Sequence, residues 1–173
     1  MKHLIILTFL IMLLACKKEA NTTGDASVTT SDSTKITKED ISKIHYIEYG
    51  IDSKAKETLN SWQAYNTISR AIEVSKDLDF TFFKLDEEVF NTTLTDIETT
   101  TPKAIDSEPI KARVLILRTK LLKFREIISL NTATKKEKLL ALKELFQSFS
   151  YVTLLINKKF EKEAQNIIKI DSI

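Results

Sequence analysis

The strongest constraint on the fold lies in the last third of the chain. Ile110, Val114, Leu117, Leu121, Phe124 and Ile128 follow one another at alternating steps of four and three. Leu142, Phe146, Phe149, Thr153, Ile156 and Phe160 repeat the same alternation. Such steps return to one face of a 3.6-residue helix and to no face of a strand. The spacing predicts helices over about 108–130 and 134–165, with Leu115 and Leu122 thickening the first stripe. Ser107 is placed to cap the first, with Pro109 in its opening turn, where a missing N–H costs little. Asn131 suits a left-handed C-terminal residue. Thr134-Lys135-Lys136-Glu137 has the reciprocal capping pattern of a helix start. The second helix spans roughly 46 Å. The short link makes the two antiparallel neighbours.

Earlier segments read in the same way. The 173 residues contain two Gly and two Pro, too few for a fold built on many tight turns. A helix is expected from Asp52 to about Lys76, capped by Asp52 or Ser53. Ala55, Leu59, Trp62, Ser69 and Ile72 lie near one face, widened by Ala64, Ile68 and Ala71. Trp62 reads as a core anchor rather than a platform for ligand stacking. Leu78-Asp79-Phe80-Thr81-Phe82-Phe83 is too aromatic for a plain loop and is expected to plug one end of the domain. A further helix runs from Leu85 or Asp86 to Thr99, with Val89, Phe90, Leu94 and Ile97 as its stripe. Pro102 keeps the residue before it out of the helical region. Thr37–Tyr49 is ambiguous. Thr37-x-x-Asp40 opens a helix carrying Ile41, Ile44 and Ile47, yet Ile44–Tyr49 also alternates as a strand does. The expected class is all-α, an antiparallel bundle of three to four long helices over residues 36–173.

The N-terminus carries a different signal. Lys2 and His3 precede Leu4–Ala15, an apolar run interrupted only by Thr8. Twelve helical residues cover about 18 Å, short of a hydrocarbon core of about 30 Å. Residues 1–15 therefore have the layout of a secretory signal peptide. Leu13-Leu14-Ala15-Cys16 resembles a bacterial lipobox. A small residue at 15 seats the peptidase, and the Cys16 thiol carries the diacylglycerol thioether. Cys16 is the only cysteine in the chain. Two or three acyl chains there, palmitate among them, would anchor the protein stably where a single chain holds weakly. Lys17 rather than Asp follows, which resembles sorting to the outer membrane. The expected location is the cell envelope, with the membrane as partner through Cys16.

Residues 16–35 form the expected tether. Lys17–Lys35 holds eight Ser or Thr in 19 residues and, as aliphatics, two Ala and one Val. It has too little apolar surface to offset its ordering entropy. As a flexible coil it spans roughly 24 Å.

Several stretches resemble a known family. These are Ser107-Glu-Pro-Ile-Lys-Ala-Arg113, Thr119-Lys-Leu-Leu-Lys123, Phe149-Ser150 and Ile156-Asn-Lys-Lys-Phe-Glu161. Trp62, Asp79–Phe83, the Leu-Ala-Cys-Lys-Lys leader and the Lys/Ile/Asn-rich usage agree with them. Over residues 44–168 the chain is similar to a family of uncharacterised helical lipoproteins of Bacteroidota, chiefly flavobacterial. The resemblance implies a fold and a location. It implies no activity and no site residues.

The residues offer little chemistry. Gly24 and Gly50 stand alone, so there is no phosphate-binding loop. His45 is the only histidine beyond the leader, which excludes paired Glu-x-x-His metal centres and any credible Ser/His/Asp set. Glu87 and Glu88 are adjacent and diverge on a helix. No catalytic residue, cofactor site or metal site is expected, and a net charge of +2 gives no mandate for nucleic acid. Lys111 and Arg113, with Lys158, Lys159 and Lys162, read as solvated faces or basic patches. Residues 51–101 carry 5 basic and 10 acidic side chains, and residues 102–173 carry 15 and 8. That asymmetry favours docking of an acidic first half on a basic second half, or a basic face for anionic headgroups or glycans. The expected function is a non-enzymatic envelope module that docks a protein partner. The alternative is a carrier of a lipid or other apolar ligand, which needs an apolar cavity of at least ~300 Å³.

Overall fold

Residues 35–165 are described by the computed structural model; Cys16, the leader and all of the tether but Lys35 lie outside them. All regular structure among the described residues is helical. It comprises α1 (Lys38–Ser42), α2 (Ser53–Asn60), α3 (Gln63–Ser75), a 3₁₀ turn (Thr81–Lys84), α4 (Glu87–Thr99), α5 (Glu108–Ser129) and α6 (Lys135–Ala164).

The ambiguous segment begins as a helix shorter than expected, carrying Ile41 but neither Ile44 nor Ile47, and no strand follows it among the described residues. Thr37 and Asp40 make a reciprocal capping box: the Asp40 N–H donates to Thr37 Oγ1, and the Thr37 N–H to Asp40 Oδ2. The helix they open lasts five residues. Residues 44–52 then continue without regular structure as a strap. Ile41 is buried, while Ile44 and Tyr46 pack on the core from partly buried positions.

The single helix expected from Asp52 to Lys76 is two helices. Asp52 caps α2 by accepting from the Lys54 N–H. The chain then breaks at Ser61–Trp62. The break is stabilised from the far side, because Asn66 Nδ2 donates to the carbonyls of Leu59 and Asn60. The Leu59 carbonyl also accepts the Trp62 N–H at 3.0 Å, so Asn66 adds a second bond there and pairs the Asn60 carbonyl at the helix end. The break lets Trp62 turn inward, 1% exposed, and stack on Tyr65 at 5.5 Å. Tyr65 is equally buried and shares a 2.8 Å hydrogen bond with Thr153 of α6.

α3 ends in a Schellman turn, with the Asp79 N–H bonded to the Val74 carbonyl and the Leu78 N–H to that of Ser75. Leu78 sits at the left-handed position, φ 68°, where glycine is usual. Its side chain packs on the core, which offsets the backbone strain. The aromatic stretch that follows packs its rings against α4 and α5. Phe83 is buried edge-on against Phe124 at 4.7 Å, Phe80 meets Phe124 at 5.5 Å, and Phe82 meets Phe90 at 5.2 Å. Asp86 caps α4 through the Glu88 N–H. Phe90, Leu94 and Ile97 are buried, but Val89 is 52% exposed and does not belong to the stripe.

α5 and α6 make the most extensive helix contact in the domain. Arg113 faces Tyr151, while Lys120 and Lys123 face Glu144, so numbers rise on one helix as they fall on the other. The two therefore run antiparallel. Ile110, Val114, Leu117, Leu121 and Phe124 are buried, as are Leu142, Phe146, Thr153 and Ile156. Leu115 and Leu122 point outward. Thr134 and Glu137 form the expected capping box. Two details differ. Ser107 occupies the cap position of α5 without a side-chain hydrogen bond, and the chain leaves α5 extended at Leu130 (ψ 120°), with no left-handed residue at Asn131. By length and composition α6 could cross a membrane, but half of its apolar window is buried inside this domain. That burial marks it as a core helix.

Candidate interaction surface

The strap lies along α6 through two side chains seven residues apart. Ser150 Oγ donates to the Ile47 carbonyl at 2.7 Å and accepts the Tyr49 N–H at 2.9 Å. Asn157 Nδ2 donates to the Gly50 carbonyl at 2.7 Å, and its Oδ1 accepts the Asp52 N–H at 3.0 Å. Seven helical residues rise about 10.5 Å, and three extended residues advance about 10 Å. The two spacings match, so a polar residue at each end of a two-turn interval pairs with an extended segment as a neighbouring strand would. Tyr46 packs against Phe146 beneath the strap, and burial pushes its hydroxyl up to about 12.

Between strap and helix lies an open groove of about 380 Å³, lined by His45, Tyr46, Ile47, Gln147 and Tyr151. On the other side of Tyr151 the surface continues onto α5. The Arg113 guanidinium stands over the Tyr151 ring at 5.5 Å, a cation–π contact. Lys120 and Lys123 both reach Glu144, at 3.0 and 2.8 Å. Lys123 first, then Lys120, holds the Glu144 carboxyl below its ordinary value. Ile47, Ile116, Leu140 and Tyr151 on this flank are 66%, 41%, 52% and 42% exposed.

A second open groove, of about 530 Å³, lies between α4 and α5, with Phe83, Lys84, Glu87, Leu122, Arg125 and Glu126 in its wall. Its arginine is engaged through Nη2 and the ring of Phe90, while Nη1 is buried without a hydrogen-bond partner among the described residues. Arg125 stands over Phe90 at 4.4 Å and donates from Nη2 to the Leu85 carbonyl at 2.9 Å, tying α5 to the aromatic stretch. Two cations and two carboxylates leave that groove without a net charge.

The residues weighed in the sequence are scattered. His45 is exposed on the strap and Trp62 is buried. Glu87 and Glu88 are exposed in the first turn of α4, where they complement its dipole. Lys111 pairs with Asp106 and Glu108, Lys158 with Glu161, and Lys159 with Glu163. Of the basic residues singled out beforehand, Arg113 belongs to the flank. Its companions Lys120, Lys123 and Lys143 were missed because their grouping depends on how α6 lies against α5. Among the described residues no group of three His, Cys, Asp or Glu could hold a metal ion. Comparisons with protein-family models, curated proteins and solved structures found no match.

Proposed function

We propose that the chain is a lipoprotein of the cell envelope, anchored through Cys16 to a membrane, and that its helical domain is a non-catalytic interaction module. In this reading residues 1–15 are removed, residues 16–35 are the tether, and residues 36–173 form an antiparallel bundle. Resemblance to the helical lipoproteins of Bacteroidota and the Lys17 position favour the outer membrane. The lipobox sequence supports the anchor. One observation carries the interaction reading: exposed Ile116, Leu140 and Tyr151 on α5 and α6, with Ile47 on the adjoining strap, stand beside cations, outside a core whose stripes are filled by buried side chains. Clustered exposed apolar surface marks binding sites. A carrier would need an enclosed apolar space. The 380 and 530 Å³ grooves are open to solvent, and the pocket beneath the strap holds about 50 Å³.

Two measurements test this. Intact mass of the protein from native membranes should show acyl chains on Cys16, and Cys16→Ser should release the protein or leave it unprocessed. Purification from the native envelope, with identification of proteins and lipids, should yield a reproducible protein partner that is lost with Ile116→Ser. An unmodified Cys16 refutes the anchor. A stoichiometric apolar ligand beyond the Cys16 acyl chains replaces the module with a carrier.

A further inference from the structure

We propose that the α5–α6 flank receives an acidic amphipathic helix, about three turns long, from a protein partner. The inference rests on the interaction reading above and names the chemistry of what binds.

Length comes first. The flank runs from Arg113 and Tyr151 at one end to Lys123 and Leu140 at the other. Ten or eleven helical residues separate those ends, about 15–17 Å, or three turns. Its apolar members are Leu140 and Tyr151, eleven residues or about three turns apart on α6, and Ile116 on α5, with Gln147, Arg113 and Lys120 as polar neighbours on the same faces. A helix laid in a groove reads such spacing with its own residues at i, i+3/i+4 and i+7.

Charge determines the sign. Lys120 and Lys123 share one carboxylate, so one positive charge there is unbalanced. Arg113 has the Tyr151 ring and no carboxylate among the described residues. Lys143, one turn before Gln147, has none either. Glu144 is the carboxylate that pairs with Lys120 and Lys123, so these four cations and Glu144 together carry three positive charges in excess. Aspartate or glutamate residues beside an apolar stripe would meet this arrangement. An Arg guanidinium placed over an aromatic ring keeps its planar fork of N–H donors for a carboxylate.

Shape separates a protein from a membrane. The 380 Å³ groove between strap and α6 is a concavity rimmed by Ile47 and Tyr151. A flat headgroup layer leaves it empty, whereas apolar side chains projecting from a helix fill it.

The test uses the lipidated full chain in phosphatidylcholine vesicles and a fluorescent 14-residue helical peptide with a leucine stripe flanked by glutamates. Anisotropy should show saturable binding above that of empty vesicles. Arg113→Glu, Lys143→Glu and Ile116→Ser should each weaken it at least tenfold. Arg70→Glu and Lys84→Glu, on other faces, should change it less than twofold. The same peptide with lysines in place of glutamates should not bind. Far-UV circular dichroism confirms that each variant is folded, and the exposure of Ile116 keeps that variant informative. Equal binding of both peptides, or insensitivity to all three flank variants, overturns the proposal. So does tightening of the domain onto vesicles containing phosphatidylglycerol that the flank variants abolish while the peptide fails to bind. A photo-cross-linker at position 151 in native envelopes separates the two levels. A protein cross-link without peptide binding removes the acidic helix and leaves the interaction module, and absence of both removes both.

Discussion

Replacing Ser150 with alanine should release the strap while leaving the helix beneath it intact. Ser150 is 4% exposed, and its hydroxyl pairs with two backbone groups, the Tyr49 N–H and the Ile47 carbonyl. Alanine nearly preserves the shape, so little cavity is created. The effect is the loss of two hydrogen bonds in a partly buried place. An unmade buried bond costs about 1–3 kcal/mol, against a net gain of about 1 kcal/mol when it is made. The strap can move to find water, so a loss of about 1–3 kcal/mol, confined to residues 44–52, is expected. By amide hydrogen exchange that is roughly a 5- to 150-fold drop in protection of Tyr49. Protection in the middle of α6 should not change. Ser148 is the internal control. It is also buried, but its hydroxyl donates to the Leu145 carbonyl within its own helix. Ser148→Ala gains helix propensity of up to about 0.5 kcal/mol and strands no backbone group. Equal effects of the two substitutions, or unchanged protection of Tyr49 in Ser150→Ala, would refute the account of the strap as a side-chain-paired segment.

Other expectations follow from burial and charge. Leu121→Ala, at a fully buried site, should cost about 2–5 kcal/mol in urea unfolding, whereas Leu115→Ala, at 55% exposure, should stay within about 0.5 kcal/mol. Glu144, held below its ordinary 4.5 by Lys123 and Lys120, binds a proton more readily unfolded than folded. Its contribution to stability is therefore present above pH 4.5 and is lost as pH falls through the lower folded value; Glu144→Gln should flatten that part of the stability–pH curve. Trp62, the only tryptophan, should emit at short wavelength, resist acrylamide and report unfolding in one step.

Most of the helical skeleton was legible because period and capping are local properties. The four/three alternation located the buried faces of α5 and α6, and Thr134-x-x-Glu137 located the start of α6 to the residue. Errors arose where tertiary contacts decide. Nothing local in Ser61–Trp62 breaks a helix; the break depends on Asn66 reaching back to Leu59 and Asn60 and on the burial gained by Trp62. Val89, Leu115 and Leu122 are as apolar as their buried neighbours, and only the positions of the adjacent helices leave them outside. Leu78 holds a conformation usually left to glycine, so no composition rule marks it as the end of α3. The strap depends on a match between a two-turn interval on α6 and three extended residues a hundred positions earlier. Once the helix is known, the pair of polar residues seven apart within an apolar helix is the signal that could have found it.

The charge asymmetry between the two halves invites an electrostatic account of how they dock, and the structure redirects it. Arg118–Glu98, at 3.3 Å, crosses between residues 51–101 and 102–173, but Arg118 Nε makes no hydrogen bond to that carboxylate. With both side chains more than a third exposed, such a pair contributes under about 1 kcal/mol. Lys111, Lys120, Lys123, Lys158 and Lys159 find their carboxylates within the second half itself. The halves are joined instead by apolar burial, with Leu94 and Ile97 in the same core as Ile110, Val114 and Leu117. Fully burying side chains of this size is worth about 1.5–3 kcal/mol each, so the helices would hold together with the charges neutralised. The positive charge of the second half is therefore not used up in folding. On the α5–α6 flank it stands beside exposed isoleucine, leucine and tyrosine, where it can select the sign of whatever covers them.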